Sequence, residues 1–233
     1  MIDLTNVTYS DEYITHKDNI IKKVYNSKNK TKENEILEGD LKRIITEYRI
    51  EYSDKKYFCS NNKVYDNENL LLFEYFSLYA HHFFCEKVLY SNGKQYIFYK
   101  IDLYGYSVFS IDTKETFDYI PKCSFVEPFA ETFIGTDIHF NKNNNVFAVG
   151  GCYWACPIDT FLIRIDNPLE QFTHYINTHL IIEGDYDKYD DTNFVEWIEN
   201  DIKLECYNIE TKPYKNEMIT IKEKEYMEKM VKI

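Results

Sequence analysis

The chain has 233 residues, of which 44% are hydrophobic and 17% aromatic, and its formal net charge is −12. This length and apolar content suffice for one domain over residues 1–233 with a core of its own. Abundant Tyr and Phe favour β-strands, where one end of a flat side chain is buried and the other is wet. The acidity argues against direct nucleic-acid binding, because a phosphate surface selects a basic face, and it favours a cationic partner.

No apolar run follows a basic N-terminus, and the sequence contains no long apolar stretch of the kind that spans a membrane. We therefore expect neither a signal peptide nor a membrane span, and a cytoplasmic location. Six cysteines are too few for a disulfide scaffold in a chain of this length, and a reducing compartment would keep them as thiols. Most of them are expected to be small buried hydrophobic residues.

Residues 1–40 are predicted to be helical or irregular. Apolar residues recur near helical spacing over residues 11–25, behind Ser10 as a cap, which predicts a short amphipathic helix. The stretch 28–35, rich in lysine and asparagine, is typical of a solvated connector.

Residues 41–87 are predicted to be rich in β-strand. Apolar and charged residues alternate from Arg43 to Tyr52, which is the period of a half-buried strand. The dipeptide Asn61-Asn62 tolerates positive φ and predicts a hairpin turn. Residues 70–89 are apolar on every side, so periodicity does not separate a buried helix from a long bent strand, and their aromatic content favours strand.

Residues 88–126 and 133–180 form two copies of one predicted β unit. Tyr96 aligns with Val146 at an offset of 50, whereas Asp112 aligns with Asp166 at an offset of 54. In the fourth strand of each copy, the alignment pairs residues 117–120 with 173–176. The second copy has therefore gained about four residues, which we assign to a loop at residues 150–157, reading GGCYWACP.

Short connections between consecutive strands predict an antiparallel meander in each copy, with turns at Asn92-Gly93 and at residues 143–145. Two such units fit a partial β-propeller-like arrangement or a sandwich. The predicted fold is therefore mainly β, built of antiparallel meanders from an internal duplication, with short N- and C-terminal helices.

The string GGCYWACP continues into an extended run that ends at Pro168, and the string DLYGYSVFSID precedes it at residues 102–112. Together they resemble an uncharacterised bacterial family of small all-β proteins that carries the GGCYWACP motif. The resemblance covers residues 88–180. It implies an all-β fold and transfers no catalytic residue, cofactor or partner.

The candidate residues of the motif loop are Cys152, Tyr153, Trp154, Cys156 and Asp159. In a continuous strand the Cα atoms of Cys152 and Cys156 would lie roughly 13 Å apart, beyond the limit of about 7 Å for a disulfide. The other cysteines are scattered singly, so structural thiols are favoured over a redox pair or a zinc site. Trp154 is expected to pack against the second repeat or to cap the core.

His81, His82 and Cys85 form a second cluster, but no third metal ligand or general-base partner lies nearby in sequence. We interpret them as residues at the edge of the core. The same interpretation applies to three further histidines, which are His139, His174 and His179.

Residues 181–233 are predicted to hold an acidic segment, a degenerate β unit over 194–206 and a closing helix. Between residues 183 and 205, nine acidic residues face two lysines, a charge of −7 in 23 residues. The spacing does not match a calcium-binding loop, so an exposed loop facing a basic partner is predicted, with two tyrosines as anchors. The candidate partner-binding residues are Asp185, Tyr186, Asp187, Tyr189, Asp190 and Asp191.

Two hypotheses of function stay open. The first is a non-enzymatic acidic protein that inhibits or neutralises a basic partner protein, by analogy of charge and size with toxin-immunity proteins and phage anti-CRISPR or nuclease inhibitors. The second is an enzyme, or a small-ligand or metal-binding protein, that uses the loop from Cys152 to Asp159. No phosphate-binding loop, nucleophile elbow or zinc-protease motif occurs, so we predict no catalytic residue, no cofactor and no metal.

Overall fold

The computed structural model describes residues 5–25, 30–79, 83–127, 129–182 and 188–232. Within these ranges the fold is mainly β, with sixteen strands in antiparallel sheets and three short helices. The predicted mainly β class is therefore confirmed. Among the same residues, no helix is both long and apolar enough to cross a membrane.

The chain divides into two compact units. Unit 1 comprises Met1–Val88 and Gln95–Ala130, and unit 2 comprises Leu89–Lys94 and Glu131–Ile233. Each unit has its own cluster of buried apolar side chains. The expectation of a single domain over the whole chain stays a prediction.

Helix α1 (Asp11–Tyr25) belongs to unit 1 and begins as the sequence predicts, because the Tyr13 N–H donates to the Ser10 hydroxyl at 3.3 Å. It buries one face of three residues against the core of unit 1. The members of that core are drawn from α1 and from both sheets of the unit, and they include Tyr13, Ile20, Val24, Ile50, Cys59, Val64, Ile97, Tyr99, Phe109 and Ile120.

The first sheet of unit 1 has the order β1 (Lys30–Glu38), β2 (Leu41–Tyr52), β3 (Lys55–Tyr65) and β4 (Leu71–Ser77). Strand β1 corrects the connector predicted for residues 28–35 and the irregular structure predicted up to residue 40. Its charged side chains hide the strand in the sequence, yet such side chains suit the edge of a sheet, where they oppose further pairing.

The turn predicted at Asn61-Asn62 is also wrong. Both residues lie inside β3, opposite Thr46 and Ile45. The chain reverses instead at Ser53 and Asp54, which have φ values of 49° and 61°. Aspartate tolerates this left-handed conformation as asparagine does, and the longer register of β2 with β3 places the turn there.

The second sheet of unit 1 has the order β5 (Glu86–Leu89), β6 (Gln95–Tyr99), β7 (Tyr106–Ser110) and β8 (Thr116–Tyr119). Strands β4 and β5 place residues 71–77 and 86–89 of the ambiguous segment in strand, as its aromatic content favours, but as two separate strands and not as one long bent strand.

Unit 2 contains a five-stranded sheet and a three-stranded sheet. The larger sheet consists of β9 (Ile134–Asn141), β10 (Val146–Cys152), β11 (Ile158–Arg164), β12 (His174–Asn177) and the short β16 (Val231–Lys232). The smaller one consists of β13 (Tyr189–Ile198), β14 (Asp201–Asn208) and β15 (Lys215–Ile221). Helix α2 (His179–Ile182) follows β12, and α3 (Glu223–Lys229), near the predicted closing helix, buries Tyr226 in the core.

The two predicted copies are both antiparallel meanders, and their central hairpins have the same register. Ile97 pairs with Phe109 in unit 1, and the residues aligned with them, Phe147 and Ile163, pair with each other in unit 2. This agreement supports the duplication, and common descent stays a prediction. In the fourth strand the pairing places equivalent residues three positions later in the second copy than the sequence alignment does.

The residues added to the second copy lie mainly in strands and not in a loop, which corrects the prediction for residues 150–157. They extend the β10–β11 hairpin by three pairs, Gly150 with Thr160, Gly151 with Asp159 and Cys152 with Ile158. Gly151 is required by the close approach of β9, because a Cβ atom there would lie 2.1 Å from the Ile134 carbonyl oxygen.

Candidate functional site

The extended β10–β11 hairpin ends in a turn at residues 153–157. The Cys156 N–H donates to the Tyr153 carbonyl at 3.1 Å, and Ala155 has a φ of 58°. Tyr153 packs edge-on against Phe133, with ring centroids 5.7 Å apart. The turn is thus a closed structure that leaves the side chains after Tyr153 at the surface.

Trp154 is 62% exposed at this tip, so the prediction that it packs against the second repeat or caps the core is wrong. The reason lies in the added residues, which carry the tip beyond the last buried pairs of the hairpin. The backbone N–H of Trp154 donates to the carboxylate of Glu131, which is itself exposed. Ile158, on the returning strand, is 46% exposed.

Cys152 is half-buried and Cys156 is exposed, and both are free thiols. The expectation of small buried residues therefore fails for Cys156, which lies in the turn. In the part of the chain that the structure describes, no group of three or more His, Cys, Asp or Glu side chains is arranged to hold a metal ion.

The extended β10–β11 hairpin lies beside the first described residues of the acidic segment. The Ile158 N–H donates to the Asp191 carboxylate at 2.7 Å. Two residues further along β11 and one residue further along β13, the Thr160 N–H donates to Thr192 Oγ1 at 2.9 Å, and the Thr160 hydroxyl donates to the Thr192 carbonyl at 2.8 Å. The structure thus brings together two sets of candidate residues that are about 30 positions apart in the sequence.

Three of the candidate partner-binding residues belong to β13 and not to a loop, which corrects the prediction for them. Asp190 is exposed, whereas Asp191 is half-buried because its carboxylate binds the edge of β11. Tyr189 is 5% exposed, so it is not a surface anchor. The other three, Asp185, Tyr186 and Asp187, lie outside the described residues.

Tyr189 is held inside unit 2 by its hydroxyl, which donates to Glu217 at 2.8 Å. Asn208 donates to the other oxygen of the same carboxylate at 2.8 Å. These two hydrogen bonds lower the pKa of Glu217, and burial raises the pKa of Tyr189. The buried side chain of Tyr189 therefore holds in place the start of β13, the strand that carries Asp190 and Asp191.

Asp159 contributes a buried link to the same arrangement. Its carboxylate contacts His179 Nδ1 and accepts a hydrogen bond from Asn177 Nδ2 at 3.1 Å. His179 Nε2 lies 3.1 Å from the Tyr189 carbonyl oxygen, which only accepts, so this nitrogen donates. Both ring nitrogens of His179 are thus used to join α2 and β11 to β13.

The remaining histidines have structural partners or fall outside the described residues. His81 and His82 belong to the latter group, and Cys85 is fully buried, which raises the pKa of its thiol to about 12. His139 stacks on Phe194 with ring centroids 4.1 Å apart and contacts Asp137 at 3.1 Å. His179 is 2% exposed, as expected for a core histidine.

No protein-family model, no curated protein and no solved structure matches the chain. The resemblance to the family with the GGCYWACP motif therefore stays a prediction.

We call the group of residues at the end of the hairpin the hairpin-tip surface. Its members are the exposed Glu131, Trp154, Ile158 and Asp190 and the half-buried Asp191. Glu131 and Ile158 were not identified from the sequence. Ile158 reads as an ordinary strand residue, and Glu131 lies in a segment without a motif. Only the fold, which sets β9, β10, β11 and β13 next to one another, shows that these residues belong to one surface.

Proposed function

We propose that this chain is a non-enzymatic binding protein that docks onto a basic partner protein through the hairpin-tip surface. The observation that carries the proposal is the exposure of Trp154 and Ile158 beside carboxylates. Tryptophan is enriched among the residues that dominate binding energy, and such anchors act best when surrounding contacts exclude water.

The charge of unit 2 fits a basic partner. Unit 2 contains nineteen acidic and eleven basic side chains, which leaves a net charge of −8. Two further carboxylates are exposed: Glu131, which precedes the hairpin in the sequence, and Asp190, which follows it. Exposed carboxylates of this kind steer a cationic partner toward the anchor and raise the association rate.

The hairpin-tip surface is also fixed in advance. Hydrogen bonds from Ile158 and Thr160 tie β11 to β13, and Thr178 Oγ1 donates to the Thr160 carbonyl at 2.9 Å. A surface that is already ordered loses little conformational freedom on binding. Rigid presentation therefore favours recognition of a folded partner.

Inhibition or neutralisation of that partner, as in toxin-immunity proteins or phage inhibitors of nucleases, is the role we propose for such docking. A reducing, cytoplasmic setting belongs to the same proposal, because all six cysteines are free thiols. The enzyme alternative has less support, because Asp159 and His179 are buried and bind each other.

The test is affinity capture from the source cell with the immobilised chain, followed by binding kinetics with the captured protein. We expect a stoichiometric basic protein. Trp154→Ala should weaken its binding by about thirtyfold or more, the loss typical of a dominant anchor. Tyr214→Ala is the matched control, because Tyr214 is an aromatic residue of unit 2 with 53% exposure, and it should change binding by less than about twofold.

Kinetics separate the anchor from the charges. Asp190→Asn combined with Glu131→Gln should slow association and weaken its dependence on salt, because fewer charges then steer the partner. In the unaltered chain salt screens this steering, as the Debye length falls from about 10 Å at 0.1 M to about 3 Å at 1 M. Capture of no protein, or of an acidic one, would contradict the proposal, as would equal binding by the Trp154→Ala variant.

A further inference from the structure

Unit 1 contains a cavity of about 520 Å³ that the proposed function does not use. This volume falls within the range of small-ligand sites. The lining side chains come from α1, β3, the β6–β7 connection and residues 124–129, and they are His16, Lys55, Lys56, Tyr57, Phe58, Leu78, Tyr79, Asp102, Ser124, Phe125 and Phe129.

Asp102 supplies a carboxylate to this cavity. The Tyr13 hydroxyl donates to its Oδ2 at 3.1 Å, and the Leu103 N–H donates to its Oδ1 at 2.6 Å. A carboxylate has about four lone-pair positions, so two donors leave acceptor capacity for a ligand. Burial raises the pKa of this carboxyl group, which shows that its charge is poorly solvated.

Aromatic rings form one wall of the cavity. The His16 ring lies 5.9 Å from Tyr57 and 5.5 Å from Phe125, measured between centroids. Burial and the neighbouring Lys55 lower the pKa of His16, which favours the uncharged form of its imidazole. His16 is tilted by 59° to Tyr57 and by 56° to Phe125, so the wall offers the face of one ring for a planar base to stack on and the edges of its neighbours beside it.

Two lysines stand at the rim. Lys55 and Lys56 are both exposed and both line the cavity. Lysine ammonium groups bind phosphate as mobile point charges. The cavity thus combines an acceptor-only group, an aromatic wall and a cationic rim.

We propose that this cavity binds a mononucleotide whose base carries an exocyclic amino group. The amino group donates to Asp102, the base stacks on the wall formed by His16, Tyr57 and Phe125, and the phosphate lies at Lys55 and Lys56. A simple organic cation would be repelled by the two lysines, and a simple anion would be repelled by Asp102. A ligand with donors at one end and negative charge at the other satisfies both.

Isothermal titration calorimetry with AMP, CMP, GMP and UMP tests the proposal, with cytidine and inorganic phosphate as partial ligands. We expect at least one of AMP, CMP and GMP to bind at least about tenfold more tightly than UMP, the factor of about one lost hydrogen bond. Uracil has no exocyclic amino group, and its one base donor, N3–H, lies between two carbonyl oxygens that the carboxylate repels. Absence of binding by all four nucleotides up to about 1 mM, or equal binding by UMP, would overturn the proposal.

Two variants locate the site. Asp102→Asn should weaken the preferred nucleotide by about tenfold or more. Lys55→Gln with Lys56→Gln should reduce its affinity toward that of the nucleoside, whereas Lys22→Gln with Lys23→Gln, an exposed lysine pair on α1, should leave it unchanged. If Asp102→Asn does not fold, the lysine pairs decide alone, because they lie at the surface. Equal binding by both lysine variants would contradict the assignment.

Trp154→Ala should leave nucleotide binding intact, which separates this site from the hairpin-tip surface.

Discussion

The two β meanders share a central hairpin and differ in what joins its strands. In unit 1, residues 100–105 turn inward, and Lys100, Ile101 and Leu103 are 2%, 3% and 7% exposed. In unit 2, three added pairs carry the corresponding connection outward, and Trp154 is 62% exposed. One scaffold therefore gives either a buried connection that lines a cavity or a projecting tip, and both candidate sites lie where the copies diverge.

The inward connection of unit 1 is held by contacts within itself and with its own sheet. Lys100 Nζ donates to the Leu103 carbonyl at 2.6 Å and lies 4.5 Å from the centre of the Phe83 ring. Gly105, with a φ of 73°, lies where a Cβ atom would be 1.8 Å from the Tyr119 carbonyl oxygen. The outward tip has no comparable burial, since residues 154–158 are all exposed.

The largest expected effect comes from filling the close approach in unit 1. Gly105→Ala should lower the free energy of unfolding by more than about 3 kcal/mol, because a positive φ adds strain and the backbone of β8 must move. Gly39→Ala is the control, since Gly39 has a φ of 61° with no atom within 4 Å of the added Cβ, and about 1 kcal/mol is expected there. Urea denaturation measures both, and equal losses would contradict the close packing of the inward connection.

A second, smaller effect concerns the charge buried in this connection. Burial lowers the pKa of Lys100 to about 7, so above that pH the folded chain holds fewer protons at this site than the unfolded chain. Stability should therefore rise between about pH 7 and pH 8.5, by up to about 1 kcal/mol per pH unit. Lys100→Met should flatten this rise in urea denaturation. No rise in stability over the same window in the unaltered chain would show that Lys100 stays charged when folded.

The shared hairpin was predictable because alternation, together with an offset that is constant within each strand, specifies both a strand and its register. Ile97 and Phe147 align in the sequence and pair equivalently in the structure. The fate of the added residues was not predictable, because their number does not say whether they pair or loop. Trp154 was assigned to the core on hydrophobicity alone, which describes the average tryptophan and not one at the end of a lengthened hairpin.

The sites themselves were predictable only in part. The motif loop and the acidic segment contain Trp154 and Asp190, but their proximity depends on hydrogen bonds between β11 and β13, such as that from Ile158 to Asp191. The cavity of unit 1 was missed because it is assembled from residues spread between His16 and Phe129. Its one signal was Asp102 at the start of the string DLYGYSVFSID, where a carboxylate sits among apolar neighbours.

The smallest expected effect on stability is that of Trp154→Ala, and it sharpens the comparison most. If the tip of unit 2 projects from the core, removing the indole ring leaves no cavity, and the free energy of unfolding should change by less than about 0.5 kcal/mol. Leu162→Ala, at a fully buried position of the same hairpin, should cost about 2–5 kcal/mol. Urea denaturation of both variants gives the contrast.

A loss above about 2 kcal/mol for Trp154→Ala would mean that the ring packs on the core after all, and the hairpin-tip surface would lose its anchor. A negligible loss together with weakened partner binding would leave recognition as the reason for placing a tryptophan at an exposed turn.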